Sequence, residues 1–465
     1  MPLLVLLLAP PAAGQTPAVL DSIDAHVQSE LKHWRIPGLS VAILRGDSLL
    51  LSRGYGFANL EHHVPATDST VYETGSVTKQ FTAAAVVLLS EEGRLSLDDP
   101  ITRFLPEGST TWRGVTIRHL LTHTSGISDN AITKLDMRRD YTEDELVRLA
   151  ASEPIEFVPG DRESYSSIGY VLLGIIIHRV TGLFYGDFLR DHIFGPLGMH
   201  TATVISESDI IPNRAAGYQF VNDTLKNQDW VSPSLLATAD GGLLFSVRDL
   251  TQWAIALNHG SVLSRAGLEA TWTPVRLNDG GTYPYGFGWH IAQQRGHRRI
   301  GHSGAYGGFQ ATIQRYPDFD LTVIVMTNLA QSLPETMAFS IAGILEPKLT
   351  PPHRLPGVLS EATPPDAIDH LLHEISAGED SVRITPGFRA FLSGAMRERL
   401  GRRISDAHSW TSLGCDNVQG RNISRLDARI RWICYAKGMG PEPNLLATVL
   451  YGTDWLAAGV DLYSF

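Results

Sequence analysis

Two strand-like segments near the N-terminus, residues 39–44 and 49–52, are followed by a long stretch that reads as helix and loop. The next strand-like run begins only at residue 286. A lone two-stranded hairpin is marginally stable in water, so these strands need partners. The available partners are four short segments at 286–292, 298–302, 308–316 and 321–327. The economical solution is one antiparallel sheet assembled from both ends of the first 345 residues, with an all-helical lobe inserted between them. Helical spacing at Val19, Ile23, Val27, Leu31 and Trp34 predicts a first helix. A closing helix is predicted over 333–345. The fold class is α/β in the broad sense, more strictly α+β: an antiparallel sheet flanked by helices. A cleft between sheet and lobe is where a site belongs.

The chain divides further. Its 465 residues exceed what one core usually serves, and length alone predicts two or three domains. Pro351, Pro352, Pro356, Pro364 and Pro365 mark residues 349–366 as a linker. Beyond it, residues 367–465 read as a small α+β domain, with helices near 367–375 and 387–400. Its strands are expected at 429–435 and 445–451, with a last one ending near 462. Residues 1–14, with an apolar run from Leu3 to Ala9 and small residues before Gln15, have the pattern of a secretory signal peptide. The protein is therefore expected to be exported, to the periplasm or beyond the cell. The run is too short to span a bilayer, and no later one is long enough. Residues 15–348 remain as the main domain.

An exported chain permits a disulfide. The two cysteines, Cys415 and Cys434, lie in strand-like stretches on either side of residues 419–426. A hairpin could bring them together, and such a loop would stabilise the fold by about 3 kcal/mol. Two buried free thiols are the alternative. The net charge of −11 opposes a nucleic-acid partner, since phosphate backbones require a basic face. A small-molecule or peptide substrate fits better; nothing in the sequence fixes an oligomeric state.

Lysine is scarce, six among 38 basic residues, and this makes each one informative. Arginine stays charged in proteins, whereas lysine can act as a base. Ser-x-x-Lys occurs at Ser29–Lys32 and at Ser76–Lys79. The first lies on the polar side of a surface helix. The second follows Gly75 and opens an apolar helix over 76–89. Residues three apart share a helix face. The free backbone N–H groups at a helix start favour developing negative charge. That is what an activated serine nucleophile needs. A Gly-x-Ser-x-Gly elbow is missing: Gly301-His302-Ser303-Gly304-Ala305 fails at its last place. His119 and His123 are four apart, but Leu120 stands where a zinc-binding helix would carry Glu. No metal and no cofactor are expected.

The ordered motifs are more specific than any one of them. Glu73-Thr74-Gly75-Ser76-Val77-Thr78-Lys79 is followed by the block His119 to Gly126, then Tyr165-Ser166-Ser167, then Gly241-Gly242-Leu243, then His302-Ser303-Gly304. Across residues 18–346 the chain resembles the serine β-lactamase and penicillin-binding protein superfamily, in its class C-like branch with DD-peptidases, D-aminopeptidases and family VIII carboxylesterases. The resemblance implies that Ser76 attacks a carbonyl to form an acyl-enzyme and that Lys79 and Tyr165 share the proton transfers. It implies an oxyanion hole from the Ser76 and Ala305 backbone N–H groups, and substrate contacts from Ser167, His302, Ser303 and Gly304. His302 would face the cleft and orient the substrate or the Tyr165 hydroxyl. Two departures bear on substrate: Ser167 stands where Asn is usual, and His302 where Lys is usual. Both weaken a β-lactamase reading and favour D-amino-acid peptides or peptidoglycan fragments, with carboxylesterase or β-lactamase activity on the same fold as the alternatives. A non-catalytic alternative is a β-lactam or muropeptide sensor that is acylated but not turned over.

Overall fold

The structure, a computed structural model, describes residues 17–222, 224–232, 238–350, 368–377, 383–391, 400–401, 404–405, 407, 409–423, 428–439, 445–451 and 456–464. The expected leader, most of the proline-rich linker and part of the helix expected at 387–400 lie outside the described residues.

The main sheet joins the two ends of the chain. After α1 (Pro17–His33) come β1 (Gly38–Arg45), β2 (Ser48–Asn59) and β3 (Val64–Pro65). Helices α2 (Lys79–Glu91), α3 (Ile117–Leu121), α4 (Glu143–Ser152), α5 (Ser167–Thr181) and α6 (Val247–His259) follow. The chain then returns through β4 (His290–Gln294), β5 (His297–Tyr306), β6 (Phe309–Tyr316), β7 (Leu321–Thr327) and α7 (Pro334–Leu345). The seven strands lie in the order β4-β5-β6-β7-β1-β2-β3, and β1 pairs with β7 antiparallel from Leu39↔Thr327 to Arg45↔Leu321.

The apolar composition of the central strands follows from their burial on both faces. Val41 and Ile43 of β1 pack with Val323, Val325, Ile341 and α1 residues Ile23 and Val27. Their neighbours Ala42 and Leu44 pack on the opposite side with Phe81, Trp253, Ile324 and Met326. Period-two alternation sends adjacent side chains into two different cores. On the second side α2 is anchored by Phe81, whose ring lies 4.6 Å from those of Phe245 and Trp253. Each such aromatic pair adds about 0.5–1.5 kcal/mol beyond area burial.

Two strands run further than the sequence pattern predicts. β2 continues through Gly54 and Gly56 to Asn59. Glycine weakens a strand signal, but here it permits a crossing: a Cβ on Gly54 would lie 2.2 Å from the Ala66 carbonyl oxygen. β5 likewise continues past His302 to Tyr306. The insertion is not wholly helical, since Tyr218–Val221 pairs with Thr224–Asn227 as a short ribbon.

The C-terminal region has its own sheet. α8 (Ile368–Ala377) and α9 (Pro386–Phe391) precede β8 (Ser409–Ile423), β9 (Ala428–Met439), β10 (Leu445–Tyr451) and β11 (Ala457–Ser464), antiparallel in that order. Leu371, Leu372, Ile375, Phe388, Cys434, Val449 and Tyr451 form its core. Cys434 is disulfide-bonded, and the residue across from it in register is Cys415.

Candidate active site

Ser76 and Lys79 sit where a 3-10 turn, Gly75–Thr78, runs into α2. Ser76 is half-buried at the lip, while Lys79 is fully buried. The Lys79 Nζ donates to Ser76 Oγ at 3.0 Å and to the Asp240 carbonyl at 2.8 Å. Three threonines spaced four apart hold the second acceptor in place. Thr74 Oγ1 donates to the Leu243 carbonyl at 2.9 Å, Thr78 Oγ1 accepts from the Leu243 N–H at 3.2 Å, and Thr82 Oγ1 donates to the Ala239 carbonyl at 2.6 Å. The turn and the first residues of α2 thus grip residues 239–243 and present the Asp240 carbonyl to Lys79 Nζ.

Tyr165 closes the group from the other lobe. Lys79 Nζ lies 5.0 Å from the Tyr165 ring centroid and 5.4 Å from that of Tyr170. Tyr165 stands just before α5, whose start is fixed by two caps. Ser166 Oγ accepts from the Gly169 N–H at 3.2 Å, and Asp129 Oδ1 from the Ile168 N–H at 2.9 Å. Burial pushes the Asp129 carboxyl above its usual range. Ser167 is half-buried, and its N–H also donates to Asp129.

The third wall is β5. Beyond Gly301 its outer edge is no longer paired with β4 and runs against the turn that carries Ser76. Contact is closest at two glycines. A Cβ on Gly304 would lie 2.0 Å from the Thr74 carbonyl oxygen and 2.6 Å from the Ser76 nitrogen. A Cβ on Gly75, whose φ is +51°, would lie 2.6 Å from the Ala305 nitrogen. The Ser76 and Ala305 amides are therefore brought together at the mouth of the cleft by two residues without side chains.

His302 and Ser303 depart from the expected roles. His302 does not face an open cleft: it is 2% exposed. Its Nδ1 lies 2.7 Å from the Ser303 carbonyl, and its Nε2 3.0 Å from the Tyr285 hydroxyl. A carbonyl can only accept, so Nδ1 carries the proton and Nε2 accepts from Tyr285. Burial, with the charges of His290 and Lys79 nearby, holds His302 well below the usual histidine range. Its ring lies 6.2 Å from that of Tyr165. Ser303, expected to contact substrate, turns to the opposite face because strand neighbours alternate. Its hydroxyl lies 2.9 Å from Thr312 Oγ1 and donates to Glu335 Oε2 at 3.0 Å.

Comparison with known proteins gives the family. The beta-lactamase family model matches residues 23–342. The chain belongs to the beta-lactamase family. It is 32% identical over 307 residues to a penicillin-binding protein of Bacillus subtilis (strain 168), covering 62% of this chain and 67% of that one. The octameric penicillin-binding protein homologue of Pyrococcus abyssi superposes with a TM-score of 0.64 at 25% identity, covering 96% of this chain and 98% of that chain. The D-amino acid amidase of Ochrobactrum anthropi SV3, solved with D-phenylalanine, gives a TM-score of 0.58 at 26% identity, covering 67% and 92%. The protein is a serine hydrolase of the β-lactamase and penicillin-binding protein superfamily.

Several groups around this beta-lactamase-family site carry little sequence signal. The Asp240 contact is made by a main-chain carbonyl, which no residue type announces. The Thr74, Thr78 and Thr82 spacing is a legible sign that the turn and the first residues of α2 bond a neighbouring segment. Tyr285 and His290 lie beside His302, with ring centroids 5.8 and 4.8 Å from it. His119 serves as a helix cap, accepting the Thr116 N–H at 3.1 Å. Among the described residues no group of three or more His, Cys, Asp or Glu side chains is placed to hold a metal ion. No single described helix is long and apolar enough to cross a membrane.

Proposed function

We propose that this protein is an exported hydrolase that works through an acyl-enzyme on Ser76 and cleaves D-amino-acid peptides or peptidoglycan fragments. The observation that carries this reading is the buried Lys79, bonded at once to Ser76 Oγ and to the Asp240 carbonyl. The Ser76 oxygen attacks the substrate carbonyl while its one proton passes into the Lys79–Tyr165 pair, which holds a single free lone pair to receive it. The Ser76 and Ala305 N–H groups stabilise the oxyanion. The proton then reaches the leaving amine as the C–N bond breaks, and water hydrolyses the ester on Ser76 by the reverse relay. Ser167 supplies a short hydroxyl for the substrate amide. Export rests on the leader-like residues 1–14.

The oxyanion assignment predicts a specific sensitivity. Gly304→Ala forces the β5 edge away from Ser76, because the new methyl group meets the backbone of the turn that carries Ser76. Loss of a well-placed oxyanion donor costs about 10²- to 10³-fold in kcat. Steady-state kinetics at saturating substrate check this.

Substrate class follows from the charge around His302. A neutral His302 offers no permanent cation for a β-lactam or peptide carboxylate. That disfavours β-lactams, whose carboxylate needs such a clamp, and leaves D-aminoacyl amides and peptides whose carboxylate lies away from His302. An uncharged ester meets the same condition, so a carboxylesterase is the second reading. The test is turnover of D-alanyl peptides, D-aminoacyl amides, p-nitrophenyl esters and a chromogenic cephalosporin. The expected result is highest kcat/KM for D-configured amides or peptides. Highest kcat/KM for the esters supports the second reading. A single burst without turnover on every substrate would instead indicate a sensor.

A further inference from the structure

We propose that His123 is the positioning residue for Tyr165, fixing where the phenol stands relative to Lys79 and Ser76. This rests on the reading of Tyr165 as a partner in proton transfer. The residues leading to Tyr165, 162–166, belong to no helix or strand. No regular ladder therefore sets the direction of the phenol. His123 supplies what the ladder does not. Its carbonyl accepts the Ser164 N–H at 2.9 Å, and its Nδ1 accepts the Ser166 N–H at 3.1 Å. The amides on both sides of Tyr165 are thus held by one residue. The same residue also walls the phenol, with ring centroids 4.2 Å apart and planes tilted by 38°.

His123 is itself rigidly placed. It ends α3, where its N–H donates to the Leu120 carbonyl at 3.3 Å. Its φ of +58° is left-handed, a conformation few non-glycine residues adopt. It is 1% exposed. Because Nδ1 accepts an N–H, the ring proton must lie on Nε2. Burial, with Lys79 and His290 nearby, holds His123 well below the usual histidine range. A doubly protonated ring would turn an N–H towards the Ser166 N–H.

Core filling does not account for a histidine at this position. Among the described residues the buried Nε2 has no hydrogen-bond partner, a cost that an aromatic hydrocarbon would avoid. What histidine offers and phenylalanine lacks is the Nδ1 acceptor on Ser166. Asparagine can present its Oδ1 near the Nδ1 position and tolerates a left-handed φ. Glutamine reaches past that position.

The test compares His123→Phe, His123→Gln and His123→Asn with Tyr165→Phe, on a substrate whose turnover depends on Ser76. A misplaced reacting group costs on the order of 10²-fold. His123→Phe and His123→Gln are expected to lower kcat by about 10- to 100-fold while KM stays within about twofold. His123→Asn is expected to restore most of the loss. In a Tyr165→Phe background the His123→Phe change should add little, because both act through one group. Tm is followed for every variant. Wild-type kcat in His123→Gln beside an impaired Tyr165→Phe would overturn the proposal alone. So would additive losses, or losses that follow Tm across the three His123 variants. A fully active Tyr165→Phe would overturn the reading of Tyr165 and the proposal with it.

Discussion

Ser76→Ala is expected to lower kcat by about 10⁶-fold on any substrate the enzyme accepts, and to leave Tm nearly unchanged. The two halves of this prediction have separate causes. Ser76 is half-buried at the start of a turn, and alanine there removes one hydroxyl without opening a core cavity. The turn keeps its backbone bond from the Val77 N–H to the Thr74 carbonyl at 3.2 Å. Catalysis, by contrast, loses the atom that forms the covalent intermediate. The oxyanion amides and the binding cleft survive, and a site of that kind retains about 10³- to 10⁴-fold over water. Residual activity at that level is therefore consistent with the assignment. Activity within tenfold of wild type would contradict it.

Lys79→Ala is expected to cost about 10³- to 10⁶-fold in kcat, because the members of a catalytic group act as a unit. This variant should also lose stability. Lys79 is fully buried, and its removal leaves a cavity and strips the Asp240 carbonyl of its donor. A buried acceptor left unpaired costs about 1–3 kcal/mol. Lys79→Arg separates charge from proton transfer. It restores a cation, yet a guanidinium is never deprotonated in a protein. Lys79→Arg should remain as inactive as Lys79→Ala. Recovery of activity by arginine would show that Lys79 contributes only its charge. Stopped assays with separate melting curves distinguish the catalytic from the structural loss.

What the sequence makes legible depends on how local the determinant is. Ser76 and Lys79 lie three apart at the start of an apolar helix, so spacing and context together place them side by side, as the 3.0 Å contact shows. The sheet is legible because β1 and β7 are buried on both faces and read as continuous apolar runs. The length of β5 was hidden by Gly304, which breaks a strand pattern yet is what lets the edge close on Ser76. His302 and Ser303 show a different difficulty. A motif places residues along a strand, but alternation decides which of them faces the site, and the packing partners decide whether it is exposed. The Tyr285 hydroxyl takes up His302 Nε2, and α7 takes the Ser303 hydroxyl through Glu335. The Asp240 carbonyl and the grip of His123 on both flanks of Tyr165 are made largely by main-chain atoms between distant segments. The Asp240 contact leaves no signature in residue type, and the His123 grip leaves only a histidine whose partner lies 43 residues away. The left-handed φ of His123 belongs to the same class, since histidine does not announce it as glycine would.

The central claim is that the covalent bond forms at Ser76. Intact-mass measurement after reaction with a slowly hydrolysed acylating probe, followed by peptide mapping, tests it most directly. The account predicts one probe mass added per chain, located on the peptide that carries Ser76 and absent in Ser76→Ala. Substrate turnover without any adduct, or an adduct on another residue that persists in Ser76→Ala, would contradict it.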